Sequence, residues 1–169
     1  MVGRGYRGPM SPPKPYTAVQ ERRGNRFIKS GSAFNTWLYR RTGGRLGANF
    51  VGGAPVCLLT TIGRKSGEPR TMPLLYLRDG ADIVVVASKG GFSDNPQWYL
   101  NLGVNPEVEI TIGRDQLHMT ARTADEAEKA VLWPKLVAMY KSYDSYQART
   151  ERDIPVVICS PRPSTPGVV

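Results

Sequence analysis

The sequence predicts an α+β domain in which a mostly antiparallel sheet curls into a barrel. Three observations predict this fold class. Apolar strands follow one another at hairpin-type turns in residues 54–88, a second hairpin follows in residues 108–122, and helical patterns separate that hairpin from a closing strand. At 169 residues and 40% hydrophobic content, the chain is long enough for one core and too short for two. One compact domain is therefore expected.

The N-terminal segment carries the whole excess of positive charge. Its first part, 1–50, holds 10 Lys and Arg and a single acid, Glu21, whereas cations and acids are equal in number over 51–169. The segment 1–19 includes four prolines and three glycines, a composition that buries little apolar surface. The expected organisation is a basic, flexible leader over residues 1–30, a barrel domain over residues 31–160 and a loose tail over residues 161–169.

A basic amphipathic helix is predicted between residues 21 and 39. Phe34, Trp37 and Leu38 stand at i, i+3 and i+4 and therefore share one face, with six Lys and Arg around them. This face either packs on the domain or rests on an anionic membrane surface, where each cation contributes about 1 kcal/mol before screening. The positive charge of this helix would also attract nucleic acid. The chain has no nucleic-acid recognition motif, however, and the domain body is neutral. We expect no nucleic-acid partner.

Three consecutive antiparallel strands are predicted in the first half of the domain. Residues 54–61 are β-rich and apolar, as in a buried strand, and residues 63–67 then turn the chain with two glycines. Residues 69–77 form the returning strand. Asp79-Gly80 is a hairpin signal, and residues 82–88 form the third strand.

A short helix and a second hairpin follow. Pro96 can open the helix, since the donor that proline lacks would be unpaired at that position, and Trp98, Tyr99 and Leu102 then share a face. Residues 108–112 and 117–122 flank the Gly113 turn. Within the second strand the single histidine, His118, falls on the polar face, so we assign it no catalytic role.

The C-terminal part is predicted to add helices and a last strand. Thr123 followed by Glu126 is a capping-box pattern, which predicts a helix from Ala124 toward Leu132 that Pro134 interrupts or restarts. Three tyrosines then recur at intervals of three, which brings their rings together on a helical turn. Residues 154–159 supply the closing strand.

The residue types limit the chemistry that the chain can perform. One histidine and two distant cysteines give no metal-ligand spacing, so no metal site is expected. No Gly-x-Ser-x-Gly elbow or plausible Cys/His pair is present, which excludes the usual nucleophilic hydrolases. Cys57 and Cys159 stand in apolar strands and are interpreted as buried thiols in a reducing compartment. Without an apolar run that could span a bilayer, a cytoplasmic protein is expected, peripheral on the inner membrane face if its basic helix binds there.

The turn after the first strand offers a site for an anion. Arg64, Lys65 and Ser66 supply two cations, a hydroxyl and backbone amides, and Lys89 follows a neighbouring strand. Charge-assisted hydrogen bonds contribute about 1.5 to 3 kcal/mol each, so several of them on one phosphate would anchor a ligand. On spacing alone, an ordinary basic surface turn explains these residues equally well.

Three segments closely resemble the deazaflavin-dependent nitroreductase family. They are residues 59–70 (LTTIGRKSGEPR, with Pro73-Leu74 next), 86–91 (VASKGG) and 95–102 (NPQWYLNL). The resemblance extends from about Phe34 to Cys159 and includes the spacing Tyr140-x-x-Tyr143-x-x-Tyr146. The family consists of split β-barrel proteins, FMN-binding-like in fold, that use coenzyme F420, an 8-hydroxy-5-deazaflavin with a phosphate and polyglutamate tail. The resemblance therefore implies an F420-dependent oxidoreductase.

The resemblance also implies which residues bind the coenzyme. The phosphate and tail would be held by Arg64, Lys65 and Ser66, with Lys89 nearby. The deazaflavin would be lined by Arg70, Thr71, Met72, Pro73, Leu74, Leu75, Val86, Ala87 and Ser88. The rest of the coenzyme site would be lined by Gln97, Trp98, Tyr99, Leu100, Asn101 and Tyr143.

The tyrosines would cover the ring and shape the acceptor pocket, to which Tyr140, Tyr146 and Leu75 are assigned. Tyr143 is the first candidate for a catalytic donor to the acceptor oxygen, followed by Tyr140 and Ser88, and water is an equal alternative. Leu75-Tyr76 departs from the family's nitroimidazole-activating member, which has Tyr-Phe there. Because leucine cannot donate to a nitro oxygen, quinones and conjugated enones are the expected acceptors ahead of nitroaromatics.

Two other functions fit the same residues. An FMN-dependent reductase with the same barrel is the nearest alternative, with FMN ranked behind F420. A carrier protein that binds deazaflavin without turning it over is the second. The resemblance also makes a homodimer a reasonable expectation, since barrels of this type often pair.

Overall fold

Antiparallel strands close into a barrel in the computed structural model, which describes residues 13–17, 19–21 and 53–162. Around the barrel the strands follow the order β1-β2-β3-β6-β5-β4, and β4 pairs with β1 to close it. The strands are β1 (Val56–Ile62), β2 (Pro69–Asp79), β3 (Asp82–Val86), β4 (Glu107–Ile112), β5 (Asp115–Thr123) and β6 (Val156–Pro161). The predicted antiparallel barrel, its two hairpins and its closing strand are confirmed.

Alternation along the strands separates an inner core from an outer layer. On β3, Ile83 and Val85 belong to the core inside the barrel, whereas Val84 and Val86 belong to a cluster on its outer face. The same period of two puts Met72, Leu74 and Tyr76 of β2 inside. The strands are buried on both faces where helices cover them.

The helices occupy two positions around the barrel. A 3-10 turn (Lys89–Gly91) and helix α1 (Gln97–Leu102) follow β3, and α1 inserts the buried Trp98 into the inner core. Helices α2 (Glu126–Met139) and α3 (Ser142–Gln147) pack against the outer faces of β3 and β6. The predicted short helix after Pro96 is confirmed, and Tyr99 and Leu102 share its packed face as expected.

The predicted start of α2 is wrong by two residues. Its N-cap is Asp125, whose side chain accepts from the Glu128 amide at 2.8 Å, while the Glu128 carboxylate accepts from the Asp125 amide at 3.0 Å. Thr123 remains in β5 and pairs with Val157. The Ala124 amide still donates to the Val156 carbonyl at 2.9 Å, so strand pairing continues past Thr123 and the helix begins only after Asp125, which forms the capping box with Glu128.

Pro134 does not interrupt α2, which is also a correction. The helix continues from Glu126 to Met139 with Pro134 inside it. The carbonyl that loses its helical partner belongs to Ala130, an exposed residue, and Leu132 and Leu136 are buried against the barrel on either side. Packing of this apolar face outweighs one missing hydrogen bond.

Part of the predicted leader contacts the barrel domain. The Tyr16 ring meets the Phe92 ring edge-on at 5.2 Å, and Arg149 lies over Tyr16 and donates to its hydroxyl. The Glu21 carboxylate accepts from both the amide and the hydroxyl of Ser93. Most of the predicted basic helix and the C-terminal tail lie outside the described residues, and the domain boundaries stay a prediction.

Both cysteines are buried and unpaired, as predicted. Burial raises the pKa of Cys159 to about 12 and raises that of Cys57 further. Among the described residues, no cluster of His, Cys, Asp and Glu has the form of a metal site. In the same part of the chain, no helix combines the length and the hydrophobicity needed to cross a bilayer.

Candidate active site

A cleft of about 390 Å³ opens where the β1–β2 turn meets α1 at one end of the barrel. It is lined by residues from three elements that sequence separates but the fold brings together: Gly63, Arg64, Lys65, Ser66, Arg70, Thr71, Met72, Gln97, Trp98 and Asn101. All of them except Gly63 belong to the predicted coenzyme site.

The turn at residues 63–68 folds back on Gly63. The Gly63 amide donates to the Glu68 carbonyl at 2.8 Å, and its own carbonyl accepts from the amides of Ser66 and Gly67. A Cβ on Gly63 would lie 2.7 Å from the Ser66 hydroxyl and 3.3 Å from the Glu68 carbonyl oxygen, so a larger residue here would displace the Ser66 side chain. The closed turn holds Arg64, Lys65 and Ser66 at the mouth of the cleft.

Asn101 connects α1 to this turn. Its buried side chain donates to the Thr61 hydroxyl at 3.1 Å and accepts from the Arg64 amide at 3.2 Å. The Arg64 guanidinium donates to Gln97 Oε1 at 2.9 Å and to Asn101 Oδ1 at 3.3 Å. The helix therefore sets the position of the arginine, and neutral groups hold it without cancelling its charge.

The cleft is positive because its cations lack carboxylate partners. Arg64, Lys65 and Arg70 form no ion pair within the described residues, and Arg70 instead donates to the Ser66 hydroxyl at 3.3 Å. Elsewhere cations are neutralised, as in the pairs Lys89–Asp94, Arg122–Glu128, Lys129–Asp153, Lys135–Asp79 and Arg162–Glu107. Three cations and a hydroxyl that converge on a cleft without carboxylates form an anion-binding arrangement.

Lys89 is not brought to this cleft. Its ammonium contacts both Asp94 carboxylate oxygens at 2.7 Å and lies over the Phe92 ring, and its side chain is only 12% exposed. The loop that carries it nevertheless lies beside α3. Its predicted contact with the coenzyme stays a prediction, and that contact would require the pair with Asp94 to open.

An outward-facing strip of β1 and β2 leads away from the cleft. It starts at the hydrogen-bonded hydroxyls of Thr60 and Thr71, 2.8 Å apart, and continues through Pro73 to Leu75. Thr71 and Leu75 lie about 13 Å apart along the strand, at the usual rise of a β-strand. Leu75 packs on Val56 and also on the outer cluster that contains the tyrosines. The strip thus joins a basic end to an aromatic end.

The tyrosines form one packed cluster at the aromatic end. The ring centroids of Tyr140 and Tyr143 are 5.2 Å apart at 79°, and Tyr146 lies 6.1 Å from Tyr140 and 6.3 Å from Tyr143. The hydroxyls of Tyr140 and Tyr146 are hydrogen-bonded at 3.1 Å. Trp133 of α2 completes the group, and its indole nitrogen donates to Asp144. The predicted association of the three rings is confirmed.

Burial keeps these phenols neutral. Tyr143 is 3% exposed, and its burial raises its pKa well above the ordinary range of tyrosine. Burial together with the hydrogen bond between Tyr146 and Tyr140 raises the pKa of Tyr146 in the same direction. Both groups are protonated at neutral pH, as an ordinary phenol is, and the raised pKa extends this state to alkaline pH.

The remaining predicted residues lie on several surfaces. Val86 faces the tyrosine cluster, whereas the side chains of Ala87 and Leu74 point into the barrel core, so a ligand on the outer face would meet backbone at those two positions. The Tyr99 hydroxyl is hydrogen-bonded to the Thr123 hydroxyl, and Leu100 is exposed on α1. The assignment of all these residues to coenzyme or acceptor stays a prediction.

Sequence reasoning missed the residues that hold the site in shape. Arg152 binds the loop after β3 through four acceptors, and Gly91 lets that loop touch the backbone of Tyr146. The GG pair offered a turn signal for Gly91. Arg152 stands in an ordinary polar stretch and gave no signal, since its partners are far from it in sequence.

Comparison with known proteins identifies the relatives of this chain. Residues 32–161 match the family model described as F420H(2)-dependent quinone reductase. A Mycobacterium tuberculosis protein provisionally named F420H(2)-dependent quinone reductase is 48% identical over 118 residues, covering 70% of this chain and 99% of its own. A second protein of that organism, named F420H(2)-dependent quinone reductase, is 42% identical over 128 residues, covering 74% and 86%.

Solved structures agree with these relatives. A structure described as F420-H2 dependent reductase (FDR-A) is 39% identical and superposes with a TM-score of 0.59 over 63% of this chain and 94% of its own. Another, described as a domain-swapped dimer, is 33% identical with a TM-score of 0.61 over 74% of this chain and 98% of its own.

Proposed function

The chain belongs to the F420H(2)-dependent quinone reductase family, and on that premise we propose that its acceptor is a quinone or another flat, conjugated carbonyl compound. It is an enzyme, an F420H2-dependent reductase whose cofactor is coenzyme F420. The residues described above fit this cofactor, because the basic cleft suits its acidic tail and the mostly apolar strip beyond it, about 13 Å from Thr71 to Leu75, is long enough for a tricyclic ring.

The uncompensated cations of the cleft are the observation that carries the proposal. Arg64, Lys65 and Arg70 would bind the phosphate and the acidic tail, with the Ser66 hydroxyl and the amides of the turn as further donors. Each charge-assisted hydrogen bond contributes about 1.5 to 3 kcal/mol. Asn101 and Gln97 preorganise Arg64, so less side-chain entropy is lost when the anion binds.

The strip between Thr71 and Leu75 would support the ring. Apolar side chains and Pro73 offer a flat surface there, and Val86 extends that surface toward the tyrosine cluster. When bound, the reduced coenzyme supplies a hydride from C5 of its central ring. The chain's own part is to align the acceptor with that surface and to keep water away from it.

The tyrosine cluster would orient the acceptor. A quinone that gains a hydride and one proton becomes a hydroquinone, and negative charge develops on a carbonyl oxygen before the proton arrives. The phenol of Tyr143 is kept neutral by burial and can donate to that oxygen, with Tyr140 and Ser88 as the next candidates and water as an alternative. Tyr140 and Tyr146 would wall the pocket.

Leu75 favours carbonyl acceptors over nitro compounds. It packs with Val56 and Leu58 in an apolar patch and offers no donor. Hydride addition to a quinone or enone develops charge on one carbonyl oxygen, to which a tyrosine can donate, whereas a nitro group shares the charge between two oxygens on one nitrogen that an apolar wall would leave unpaired. The names of the relatives also point to quinones.

Spectroscopy tests this proposal. Purified protein is mixed with F420H2 and then with menadione, a conjugated enone or a nitroaromatic, and the return of the oxidised absorbance band is followed. We expect the rate to fall in that order. Fast nitro reduction with no quinone reduction would contradict the acceptor class, and binding without turnover of any acceptor would favour the carrier function. A parallel titration with FMN compares the two cofactors, and we expect weaker binding of FMN.

Two further expectations concern association. We propose that the protein forms a homodimer, because a relative of the same fold is a domain-swapped dimer, and light scattering during size-exclusion chromatography tests this. Attachment to anionic membranes through the basic N-terminal helix also stays a proposal. Co-sedimentation with vesicles that contain phosphatidylglycerol, compared with neutral vesicles, measures it directly.

A further inference from the structure

Arg152 connects the segment after the tyrosine helix to the loop after β3. Its Nε donates to the Phe92 carbonyl at 2.8 Å and one Nη to Asn95 Oδ1 at 2.9 Å. The other Nη donates to the carbonyls of Ala87 at 3.1 Å and Ser88 at 2.7 Å. All three nitrogens of the guanidinium therefore bind one segment, residues 87–95.

These bonds lie on both sides of an unusual backbone run. Lys89, Gly90 and Gly91 have φ values of 47°, 69° and 83°, so three consecutive residues adopt the left-handed region that a lysine rarely occupies. Arg152 holds the two carbonyls just before this run and one carbonyl just after it. The planar guanidinium of arginine has five N–H donors and can bond to all of these acceptors at once, whereas the single ammonium nitrogen of a lysine cannot.

The acceptors of Arg152 are neutral. Within the described residues, which include all fourteen acidic side chains of the chain, Arg152 forms no ion pair. The arginine is half-buried, and its hydrogen bonds all go to neutral groups of the loop, whereas Asp94, Asp153 and Glu21 act on it only beyond ion-pair distance.

The loop leads directly into the functional elements. It carries Ser88 and Lys89, both predicted to bind the coenzyme, and it ends at Pro96, the N-cap of α1. Helix α1 in turn holds Arg64 through Asn101. A shift of the loop would thus be transmitted through α1 to the cleft.

We propose that Arg152 is a positioning residue, which holds the loop of residues 87–95, with its left-handed run at Lys89 to Gly91, in the conformation that positions Ser88 and α1 for coenzyme binding. The part of this inference that concerns the coenzyme rests on the proposed function. The part that concerns the loop does not.

Two variants and two measurements test the proposal. Arg152→Gln removes the charge and most donors, and Arg152→Lys keeps the charge but lacks the planar guanidinium. Hydrogen exchange of the amides at residues 88–95 reports the loop itself, and quenching of F420 fluorescence reports affinity. For Arg152→Gln we expect exchange at 88–95 to be at least about tenfold faster and the Kd for F420 to be about tenfold weaker, which is roughly 1.4 kcal/mol. Arg152→Lys should recover less than half of the loss.

Arg122→Gln provides the matched control, because Arg122 is exposed and bonded to Glu128 on α2, away from the cleft. It should change neither measurement. Unchanged exchange at residues 88–95 in Arg152→Gln would overturn the proposal, and so would exchange that rises equally in β4 and β5, since Arg152 would then stabilise the whole barrel and not one loop. Full recovery by lysine would also overturn it. If the wild-type chain fails to bind F420 while the loop responds as expected, the proposed function fails and the positioning role stands.

Discussion

The two ends of the outer strip of β1 and β2 differ in almost every physical property. At the cleft, cations and hydroxyls are partly exposed, hydrogen-bonded to neutral groups and free of carboxylates among the described residues. At the tyrosine cluster, rings are packed at centroid distances of 5.2 to 6.3 Å, and Tyr143 is almost fully buried. The cleft is characterised by its uncompensated positive charge, and the tyrosine cluster by its close packing.

Under the proposed function, the charged end would bind the coenzyme and the aromatic end would select the acceptor. A charged tail is recognised at long range and tolerates small displacements, because Coulomb interactions fall slowly with distance. A planar acceptor is recognised only if the surrounding rings are fixed, since an aromatic contact is lost within an ångström or two. We therefore expect substitutions at the cleft to change affinity for the coenzyme, and substitutions near the tyrosines to change packing and rate.

Charge reversal at the cleft should give the largest effect. Arg64→Glu combined with Lys65→Glu replaces attraction by repulsion, and we expect F420 affinity to fall at least about 100-fold, which is roughly 2.7 kcal/mol. Fluorescence titration at two salt concentrations measures this. The double variant Arg78→Glu with Arg114→Glu, at two exposed positions outside the cleft, is the charge-matched control. Equal losses in both double variants would contradict a local anion site.

Gly91→Ala should disturb the packed end. A Cβ there would lie 2.7 Å from the Tyr146 carbonyl, and the backbone has φ +83°. Gly90 has φ +69°, but a Cβ there would meet nothing within 4 Å. Gly90→Ala therefore measures the cost of the left-handed backbone alone, without a steric clash. We expect about 1 kcal/mol of lost stability for Gly90→Ala and at least about 2 kcal/mol for Gly91→Ala, measured by urea unfolding. Equal losses would show that the contact with Tyr146 is not tight.

Tyr143→Phe should separate rate from binding. Without the phenol, the developing charge on the acceptor oxygen loses a donor that water replaces incompletely, so we expect kcat to fall about tenfold while F420 affinity changes less than about twofold. Tyr140→Phe should have a smaller effect on kcat. Single-turnover absorbance and fluorescence titration provide the two numbers. An unchanged rate in Tyr143→Phe would remove this tyrosine as donor and leave Tyr140, Ser88 or water.

The pH dependence of stability should give the smallest effect. Burial raises the pKa of Tyr143 above that of an unfolded tyrosine, so its stabilising contribution is complete below about pH 10. As pH rises above that value, the unfolded chain releases a proton that the folded chain retains, and stability falls. We therefore expect the loss of stability between pH 8 and pH 11 to be about 1 kcal/mol smaller in Tyr143→Phe than in wild type. If urea unfolding shows the same decrease in stability with pH for wild type and Tyr143→Phe, this expectation is contradicted.

Local patterns account for the features that were predicted correctly. The apolar alternation of residues 54–88 and the glycines at the turns specify strands and hairpins, and the three-residue spacing of tyrosines brings their rings together. The two errors arose where local signals competed with tertiary contacts. Thr123 is a good cap by its side chain, but β5 retains it in the ladder, and Pro134 breaks helices in isolation, but the buried face of α2 holds this one together.

The sequence by itself determined the antiparallel strands, the basic turn at Arg64 to Ser66 and the family resemblance, because each depends on residues that are close to one another along the chain. Only the tertiary structure decided that Asn101 would fix Arg64 and that Arg152 would bind the loop after β3. These contacts join residues whose separation in sequence carries no information about their distance in space. A hydrogen bond is directional and short, so its partners become known only when closure of the barrel brings the elements together.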